Sequence, residues 1–332
     1  ADYGLRDVSA VEVAVLRTGH YNPKSPIFVS QTPVSERKQN VFILAGGSNL
    51  IVSDDGFRGL VISIEIDGFE LEGTRLTSGA STSMEVLVNE SIKAGLAGLE
   101  WAGGLPGSFG GAIRGNAGCF GGEIKDSVIE VRSVDMSSGN EFIRDSSECE
   151  FAYRDSFYKH HREVIVEATL QLTRGDKTNL RQIADDHIRY RQEKHPLEYP
   201  NAGSIFKNVP LERVPAHCLS LFAEAIKNDP FPVVPTAKII AVAGLQGLQV
   251  GDAQVSEKHS NYIVNLGQAK AGDLIELIKK VKAEIKIFHT EIRRLDEHNA
   301  NIREDIRTMR GDFRLAIEMH ERIAALEARL PH

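Results

Sequence analysis

The pattern of apolar and polar residues divides the chain into a strand-rich first half and a helical end. Apolar, β-branched runs at residues 41–44 and 60–64 predict two strands, which are joined by a connection rich in glycine and aspartate. Alternating runs at residues 128–134 and 163–172 predict further strands. We therefore expect strands to dominate the middle of the chain.

Two segments have the spacing of apolar residues that is typical of helices, and the first lies within the strand-rich half. The apolar residues Met84, Leu87, Val88 and Ile92 recur three or four residues apart and are followed by glycines, which predicts a helix that ends there. Residues 177–192 are helical in pattern and highly charged. Because the character of the chain changes near residue 176, we expect a domain boundary there.

A sustained heptad pattern occupies the C-terminal part of the chain. Its positions, four and three residues apart, are Leu274, Ile278, Val281, Ile285, Phe288, Ile292, Leu295, Asn299, Ile302, Ile306, Met309, Phe313, Ala316, His320, Ile323, Glu327 and Leu330. One helix over these positions would be about 85 Å long at ~1.5 Å per residue, too long for one compact domain to bury. A homodimeric coiled coil is therefore predicted. The alternatives are a solvated helix that packs on its own domain, or a helix broken near residues 289–291.

Composition and charge exclude several classes of protein. The 332 residues, 42% hydrophobic and 26% charged, are typical of a globular protein with two or three domains. A net charge of -7 with dispersed basic residues argues against nucleic-acid binding. Three widely spaced cysteines without a CxxC pair predict a reducing compartment and neither a disulfide framework nor a metal site. Without a long apolar run or a signal pattern, we expect no membrane association and a cytoplasmic location.

Two glycine-rich segments carry the first candidate chemistry. They read AGGSNL at residues 45–50 and GGLPGSFGGAIRGNAG at residues 103–118, the second with seven glycines among sixteen residues. Such a density lets backbone N–H groups converge on phosphate oxygens, as a bound dinucleotide would require. Neither segment contains GxGxxG or GxxxxGK[ST]. Tight turns between strands are the alternative interpretation.

Two polar segments carry the second candidate chemistry. In CEFAYRDSFYK, Arg154 offers a planar fork for a carboxylate or phosphate, although a surface ion pair with Asp155 would also explain it. In RQEKHPLEYPNAGSIFKN, Ser204 lacks a GxSxG elbow, which argues against a nucleophilic serine. Because a serine hydroxyl is a very weak acid, Ser204 could donate a proton only to a strongly basic atom such as an enolate carbon. A helix-capping or turn hydroxyl is the alternative for Ser204, and a rigid turn before Pro196 is the simpler explanation for His195.

Five motifs in a fixed order resemble the UDP-N-acetylenolpyruvoylglucosamine reductases, also called UDP-N-acetylmuramate dehydrogenases, of bacterial peptidoglycan synthesis. The resemblance runs from about residue 41 to about residue 278. The motifs are LAGGSNLIVSDDGF, GLEWAGGLPGSFGGAIRGNAGCFGGEI, CEFAYRDSFYK, RQEKHPLEYPNAGSIFKN and AGLQGLQVGDAQVSEKHSNYIVNLGQA.

The resemblance implies an α+β fold with a two-part FAD-binding module, an α/β substrate domain and a long C-terminal helix. We place the first FAD-binding subdomain at residues 1–67. In the family, a Thr-Thr-Phe-x-x-Gly-Gly segment would come before the position of Ala1. The second FAD-binding subdomain would span residues 68–176, the substrate-binding domain residues 177–290, and a helical tail residues 291–332.

The resemblance also implies an activity and a set of site residues. NADPH would reduce bound FAD, and the enolpyruvyl double bond of a UDP-sugar would then accept hydride to give UDP-N-acetylmuramate. The cofactor-binding residues would be Gly46, Gly47, Ser48, Asn49, Leu50, Pro106, Gly107, Ser108, Gly110, Gly111, Asn116 and Gly118. Arg154 would hold the substrate carboxylate and stabilise an enolate, and Ser204 would protonate the resulting carbon.

The resemblance also implies substrate contacts. Lys194 and Asn208 match positions that contact substrate, and Lys207 matches such a position less closely. Glu291, in TEIRRL, is the nearest match to a third catalytic residue, but a continuous helix there would replace the family's strand. Two other functions stay open: a different flavin oxidoreductase of the same architecture, and an inactive flavin-fold protein with a helical interaction tail.

Overall fold

A computed structural model describes residues 12–17 and 41–327, with side chains for residues 41–304 and 306–310. The strands are β1 (Glu12–Arg17), β2 (Val41–Leu44), β3 (Leu60–Glu65), β4 (Phe69–Glu72), β5 (Arg75–Gly79), β6 (Leu96–Ala97), β7 (Gly118–Cys119), β8 (Gly122–Glu123), β9 (Val128–Asp135), β10 (Glu141–Asp145), β11 (Glu163–Gln171), β12 (Thr173–Arg174), β13 (Asn201–Ser204), β14 (Val209–Pro210), β15 (Lys227–Asn228), β16 (Pro232–Val234), β17 (Gln249–Val250), β18 (Ala253–Val255) and β19 (Tyr262–Asn265). The α-helices are α1 (Met84–Lys93), α2 (Phe109–Gly115), α3 (Lys177–Lys194), α4 (Leu219–Phe222), α5 (Thr236–Val242) and α6 (Ala271–Glu327).

The first sheet is parallel, with the strand order β1-β3-β2. Strands β2 and β3 are the two β-branched runs of the sequence, so that prediction is confirmed. Strand β2 ends at Leu44, and the first glycine-rich segment follows it directly. This segment therefore leaves the sheet at the carboxyl edge, where ligands of parallel sheets usually bind.

The second sheet is antiparallel, with the strand order β10-β9-β11-β5-β4. Helix α1 is the predicted amphipathic helix: Ser83 caps its first turn by accepting a hydrogen bond from Val86 N, and its apolar face is buried. Helix α2 and, through Leu180 and Ala184, helix α3 contribute to the same hydrophobic core. The second glycine-rich segment runs into α2, so this core fixes its position.

A separate antiparallel sheet, with the order β13-β19-β18-β17, carries the polar motif near residue 204. Ser204, the last residue of β13, is the register partner of Tyr262 in β19. Directly opposed residues of antiparallel strands project to the same face of a sheet. The hydrophobic core beside this sheet includes Leu277 and Val281 of α6, so the long helix begins as part of this region.

Helix α6 contains 57 residues without a break, which confirms the long helix and shows that a break near residues 289–291 is wrong. Its first part packs on the molecule, and Ile292 contacts the small core of Cys218 and Phe222. Beyond that point Leu295 is 57% exposed and Met309 is 57% exposed. Among the side chains that the structure describes, α6 therefore packs on the molecule up to Ile292, as the self-packing alternative expects, and its apolar residues beyond that point are exposed.

None of the helices in the described part of the chain is long and apolar enough to cross a membrane. The cytoplasmic location stays a prediction. The domain boundaries at 67, 176 and 290 also stay predictions.

Candidate active site

The two glycine-rich loops lie against each other. A Cβ atom on Gly46 would be 3.5 Å from Gly107 Cα, and one on Gly107 would be 3.0 Å from Ser48 Oγ. Gly107 also has φ +115, a conformation that side-chain-bearing residues rarely adopt. The loops are thus close enough to serve one ligand.

Unpaired hydrogen-bonding groups border this contact. Toward the described residues, the backbone N–H groups of residues 46–50 donate no hydrogen bond. The Ser81 hydroxyl is buried and has no hydrogen-bond partner in the described part of the chain, and its neighbour Ala80 accepts a hydrogen bond from Gly110 N at 2.8 Å. Free N–H groups and an orphaned hydroxyl are the donors that pyrophosphate oxygens need, so the loops fit a dinucleotide. Sequence reasoning missed Ser81, because no local motif marks it.

Several of the predicted cofactor-binding residues have structural contacts of their own. A Cβ on Gly110 would be 2.8 Å from Ala80 Cβ, so this glycine permits close packing. Ser108 caps α2 through a hydrogen bond from Gly111 N. Of the others, Gly47, Ser48, Asn49, Pro106 and Gly111 are exposed, and Leu50 and Gly118 are half-buried.

Asn116 joins the glycine-rich segment to the loop of Arg154. It is fully buried with φ +40. Its side chain donates to Ala152 O at 2.9 Å and accepts from Lys125 N at 3.3 Å. The side chain of Asn116 therefore organises the protein, and its predicted contact with a cofactor stays a prediction.

Arg154 is held in a fixed position by the hairpin of β7 and β8. Its backbone has φ +57, and its guanidinium donates to the carbonyl oxygens of Asn116 and Gly118. The nearest carboxylate is that of Glu123, at 3.9 Å. Asp155 instead pairs with His160 at 3.0 Å, so the alternative of an Arg154–Asp155 ion pair is wrong.

Tyr153 connects Arg154 with the motif that follows Ser204. The Arg154 guanidinium lies 5.1 Å from the centroid of the Tyr153 ring. Lys207 Nζ donates to Tyr153 O at 3.2 Å, and Asn208 N donates to the Tyr153 hydroxyl at 3.4 Å. Three of the predicted site residues, Arg154, Lys207 and Asn208, are thereby brought together.

The loop of Lys207 and Asn208 is itself clamped. Asn261 is buried and accepts from Phe206 N at 3.0 Å while it donates to Phe206 O at 2.9 Å. The Asn208 carboxamide oxygen accepts from Thr236 N at 3.2 Å, in the first turn of α5. These long-range clamps could not be read from the sequence.

Ser204 is exposed at the end of β13 and caps no helix, so the capping alternative is wrong. Ser204 is opposite Tyr262 in the sheet, and its side chain is close enough to the Tyr262 hydroxyl to affect the pKa of that tyrosine. That hydroxyl also lies 3.1 Å from His195 Nδ1. His195 is thus a hydrogen-bonding partner behind Ser204 and has a role beyond the turn before Pro196.

The groups behind Ser204 are neutral at neutral pH. Burial, together with the positive charges of His259, Arg191 and Lys258, lowers the pKa of His195 to about 4. Burial raises the pKa of Tyr262. A neutral imidazole and a protonated phenol can both donate and accept hydrogen bonds, so they can form a continuous chain to Ser204.

Cys119 lies between the two halves of the site. Burial raises the pKa of its thiol, and the charges of Arg191 and Arg154 oppose that effect. The Arg191 guanidinium is 3.0 Å from Cys119 Sγ. Arg191 and Cys119 also affect the pKa of Tyr262, so they are electrostatic neighbours of Tyr262 as Arg154 is of Cys119.

Two predicted residues are not joined to this group. Lys194 is exposed at the end of α3, and Glu291 is exposed on α6. Within the described residues, neither side chain makes a hydrogen bond or an ion pair. Helix α6 replaces the strand that the family would have at Glu291, and the roles of both residues stay predictions.

Comparison with known proteins gives a consistent result along the chain. Residues 195–292 match the family described as "UDP-N-acetylenolpyruvoylglucosamine reductase, C-terminal domain", and residues 33–142 match "FAD binding domain". The UDP-N-acetylenolpyruvoylglucosamine reductase of Clostridium novyi is 37% identical over 266 residues, which are 78% of this chain and 79% of that protein. The protein of the same name from Clostridium botulinum is 38% identical over 264 residues, with 78% and 79% covered.

A solved structure agrees with these relatives. The UDP-N-acetylenolpyruvylglucosamine reductase from Thermus caldophilus is similar with a TM-score of 0.60 and 31% identity, over 75% of this chain and 84% of that chain. The chain therefore belongs to the UDP-N-acetylenolpyruvoylglucosamine reductase family, as its motifs predicted, and it is an oxidoreductase with an α+β fold and an FAD-binding domain.

Proposed function

We propose that the chain reduces UDP-N-acetylglucosamine enolpyruvate to UDP-N-acetylmuramate for peptidoglycan synthesis, with NADPH as reductant and FAD as the bound carrier. The observation that supports this best is the bridge through Tyr153, which joins Arg154 to Lys207 and Asn208. In this proposal Arg154 would hold the substrate carboxylate, and the neighbouring loop of Lys207 and Asn208 would bind the polar nucleotide sugar. A different flavin oxidoreductase would have no need of this arrangement.

The FAD would bind at the two glycine-rich loops. Residues 46–50 offer unpaired N–H groups, Gly107 brings the second loop within reach, and Ser81 adds a buried hydroxyl. When bound, FAD would carry hydride from NADPH to the enolpyruvyl double bond. The remaining chemistry belongs to the side chains of the protein.

Arg154 would bind the carboxylate of the substrate and stabilise the enolate. Two carbonyl oxygens already fix its guanidinium, so little reorganisation is needed when negative charge develops. Its planar fork can hold both carboxylate oxygens at once. Lys207 and Asn208 would contact the rest of the polar substrate.

Ser204 would complete the reduction by protonating the enolate. Hydride adds to one carbon of the double bond, the electron pair of the double bond moves into the enolate, and the Ser204 O–H bond breaks as the new C–H bond forms. We assign His195 Nδ1–H as donor to Tyr262, and Tyr262 O–H as donor to Ser204 Oγ. This orientation directs the proton of Ser204 toward the substrate and lets Tyr262 return a proton to the serine oxygen.

Half-reactions of the purified protein test the proposal. The protein should be yellow, NADPH should bleach it, and the enolpyruvyl substrate should restore the colour. Ser204→Ala should leave the bleaching step nearly intact and slow recolouring by ~10²-fold or more. A colourless protein would favour the inactive flavin-fold alternative. Bleaching without recolouring by this substrate would favour another oxidoreductase, and equal slowing of both steps in Ser204→Ala would make Ser204 structural.

We also propose that the exposed part of α6 forms a homodimeric coiled coil. The apolar residues Leu295, Ile302, Ile306 and Met309 lie on its heptad positions and are exposed. Light scattering should show a dimer for the wild type and a monomer for the double variant Ile302→Asp, Ile306→Asp. The matched variant Asn301→Asp, Thr308→Asp, away from the heptad positions, should stay dimeric. A monomeric wild type would rule out the coiled coil.

A further inference from the structure

Three side chains that commonly bind transition metals meet where α6 passes the short 3-10 helix Ala216–Cys218. His217, Cys218 and His289 each place one ligand atom within 4.8 Å of the other two. None of these residues belongs to the flavin loops or to the group around Arg154 and Ser204. The proposed reduction therefore leaves this cluster unexplained.

The cluster contains buried polar atoms without partners. His217 Nε2 and His289 Nε2 are both buried and make no hydrogen bond to any residue that the structure describes, and their ring centroids are 5.2 Å apart. Cys218 is 5% exposed and is not in a disulfide. Buried ring nitrogens are nearly always hydrogen-bonded or bound to a metal, because an unsatisfied polar atom is costly. A single cation would satisfy both histidines and the thiol at once.

We propose that His217, Cys218 and His289 bind a Zn²⁺ ion, with a fourth coordination position for water or another small ligand. Imidazole nitrogen and thiolate sulfur are the ligands that Zn²⁺ prefers, and three protein ligands leave one tetrahedral position open. An ion at the centre of a triangle with sides of 4.8 Å would be at most about 2.8 Å from each corner. In a tetrahedral site the three ligand atoms would lie about 3.4–3.6 Å apart, so each atom would need to move inward by at most about 0.8 Å, which small side-chain rotations provide.

The electrostatic surroundings suit a cation. Asp296 follows His289 by seven residues, or two turns of α6, so it lies on the same face of the helix as His289. Zinc binding breaks the S–H bond of Cys218, forms a Zn–S bond and releases the proton to solvent, without oxidation or reduction. The bound thiolate and the carboxylate of Asp296 would partly neutralise the ion.

The metal would fix the point at which α6 leaves the body of the protein. His289 is on α6, whereas His217 and Cys218 belong to the 3-10 helix on which α6 packs. Ile292, one turn later, contacts the same small core as Cys218, and the apolar residues beyond it are exposed. The ion would therefore link the packed and the projecting parts of the helix.

Cobalt substitution in the full-length protein tests this site. Protein freed of metal with a chelator would be titrated with Co²⁺, and the difference spectrum recorded against the same protein. We expect one equivalent to bind with the d–d bands of tetrahedral cobalt and a thiolate-to-cobalt charge-transfer band, and Zn²⁺ to remove both. Cys218→Ser should lose the charge-transfer band. Changes to residues that only support metal ligands lower metal affinity by ~10–100-fold. Because His289 is a ligand itself, His289→Gln should weaken Co²⁺ binding at least as much.

His298→Ala is the matched control, because His298 is exposed on the same helix and is not part of the cluster. It should bind Co²⁺ like the wild type. As a second measurement, Zn²⁺ should raise the melting temperature of the wild type and of His298→Ala but not of folded His289→Gln. A folded wild type that shows no tetrahedral cobalt spectrum would overturn the proposal. Unchanged binding in His289→Gln, or an equal loss in His298→Ala, would also overturn it.

Discussion

Replacing Tyr262 with phenylalanine would remove one oxygen atom from the hydrogen-bonded chain behind Ser204. The change removes the interaction with the Ser204 side chain and breaks the 3.1 Å hydrogen bond with His195 Nδ1, while the ring keeps its packing. The His195 nitrogen is left without a partner in a partly buried place. Such a loss costs about 1–3 kcal/mol of unfolding free energy.

The same change should slow the protonation step. If Tyr262 orients Ser204 through one hydrogen bond, its net contribution of about 1–1.5 kcal/mol corresponds to a rate effect of about tenfold. Stopped-flow absorbance of the flavin would separate the two half-reactions. We expect bleaching by NADPH at the wild-type rate and recolouring by the enolpyruvyl substrate at about one tenth of it, a smaller effect than that of Ser204→Ala.

Tyr190→Phe is the matched control. Its ring lies 6.1 Å from that of His195, but its hydroxyl makes no hydrogen bond within the described residues. Its unfolding free energy should change by less than about 0.5 kcal/mol, and neither half-reaction should change. The reasoning fails if Tyr262→Phe leaves recolouring unchanged, or slows bleaching and recolouring equally.

Three further predictions follow from the same site. Arg154→Lys should slow recolouring by at least about tenfold, measured in the same stopped-flow assay, because an ammonium cannot replace the planar fork. Gly107→Ala should lower the unfolding free energy by about 1 kcal/mol or more and weaken flavin retention, because φ of Gly107 is +115 and Ser48 Oγ is 3.0 Å from the added Cβ. The control Gly115→Ala should be neutral or stabilising, because there is open space at that position. The pKa of His195 is lowered to about 4 in the folded protein, whereas the unfolded chain has an ordinary histidine pKa of about 6.5. The stability that comes from keeping His195 neutral is therefore fully present above about pH 6.5 and is lost as the pH falls toward 4. Urea unfolding should show that the unfolding free energy falls by about 1–2 kcal/mol between about pH 7.5 and about pH 5, after allowance for the partial exposure of His195. The variant His195→Gln should show a smaller fall over the same pH range.

Local periodicity explains what the sequence predicted well. Helix α1 follows from four apolar residues on one face and a capping serine, all within one short segment. Helix α6 follows from the heptad, although its apolar positions serve two purposes: Ile278 and Val281 pack on the molecule, and Ile302 and Met309 are exposed. The spacing alone does not distinguish these uses, because a heptad specifies an apolar face and not its partner.

The candidate site was predicted residue by residue but not contact by contact. Arg154 was expected either to bind a ligand or to pair with its neighbour Asp155. Its backbone conformation and the hairpin of β7 and β8 instead direct it toward Glu123, 31 positions earlier. His195 was assigned to a turn because Pro196 follows it, whereas its hydroxyl partner Tyr262 is separated from it by 67 residues. Contacts over such distances arise from sheet register and helix packing, which one sequence does not reveal.

The proposed metal site of His217, Cys218 and His289 depends on a contact that the sequence does not reveal. Cysteine spacing argued against a metal site because sequence rules recognise ligands that lie close together in the chain. Here His217 and Cys218 are adjacent, but His289 comes from a helix that begins more than fifty residues later. Only the path of α6 across the 3-10 helix brings the third ligand into place.

The continuity of α6 also bears on the third catalytic residue. The resemblance assigns that role to Glu291, yet Glu291 is exposed on an unbroken helix. Ser204 already has another hydrogen-bonded neighbour, since Tyr262 lies opposite it in the sheet and is itself bonded to His195. A neutral Tyr–His pair can orient a serine proton and return one to the oxygen without a carboxylate. The proton supply we propose therefore does not require the strand that α6 replaces.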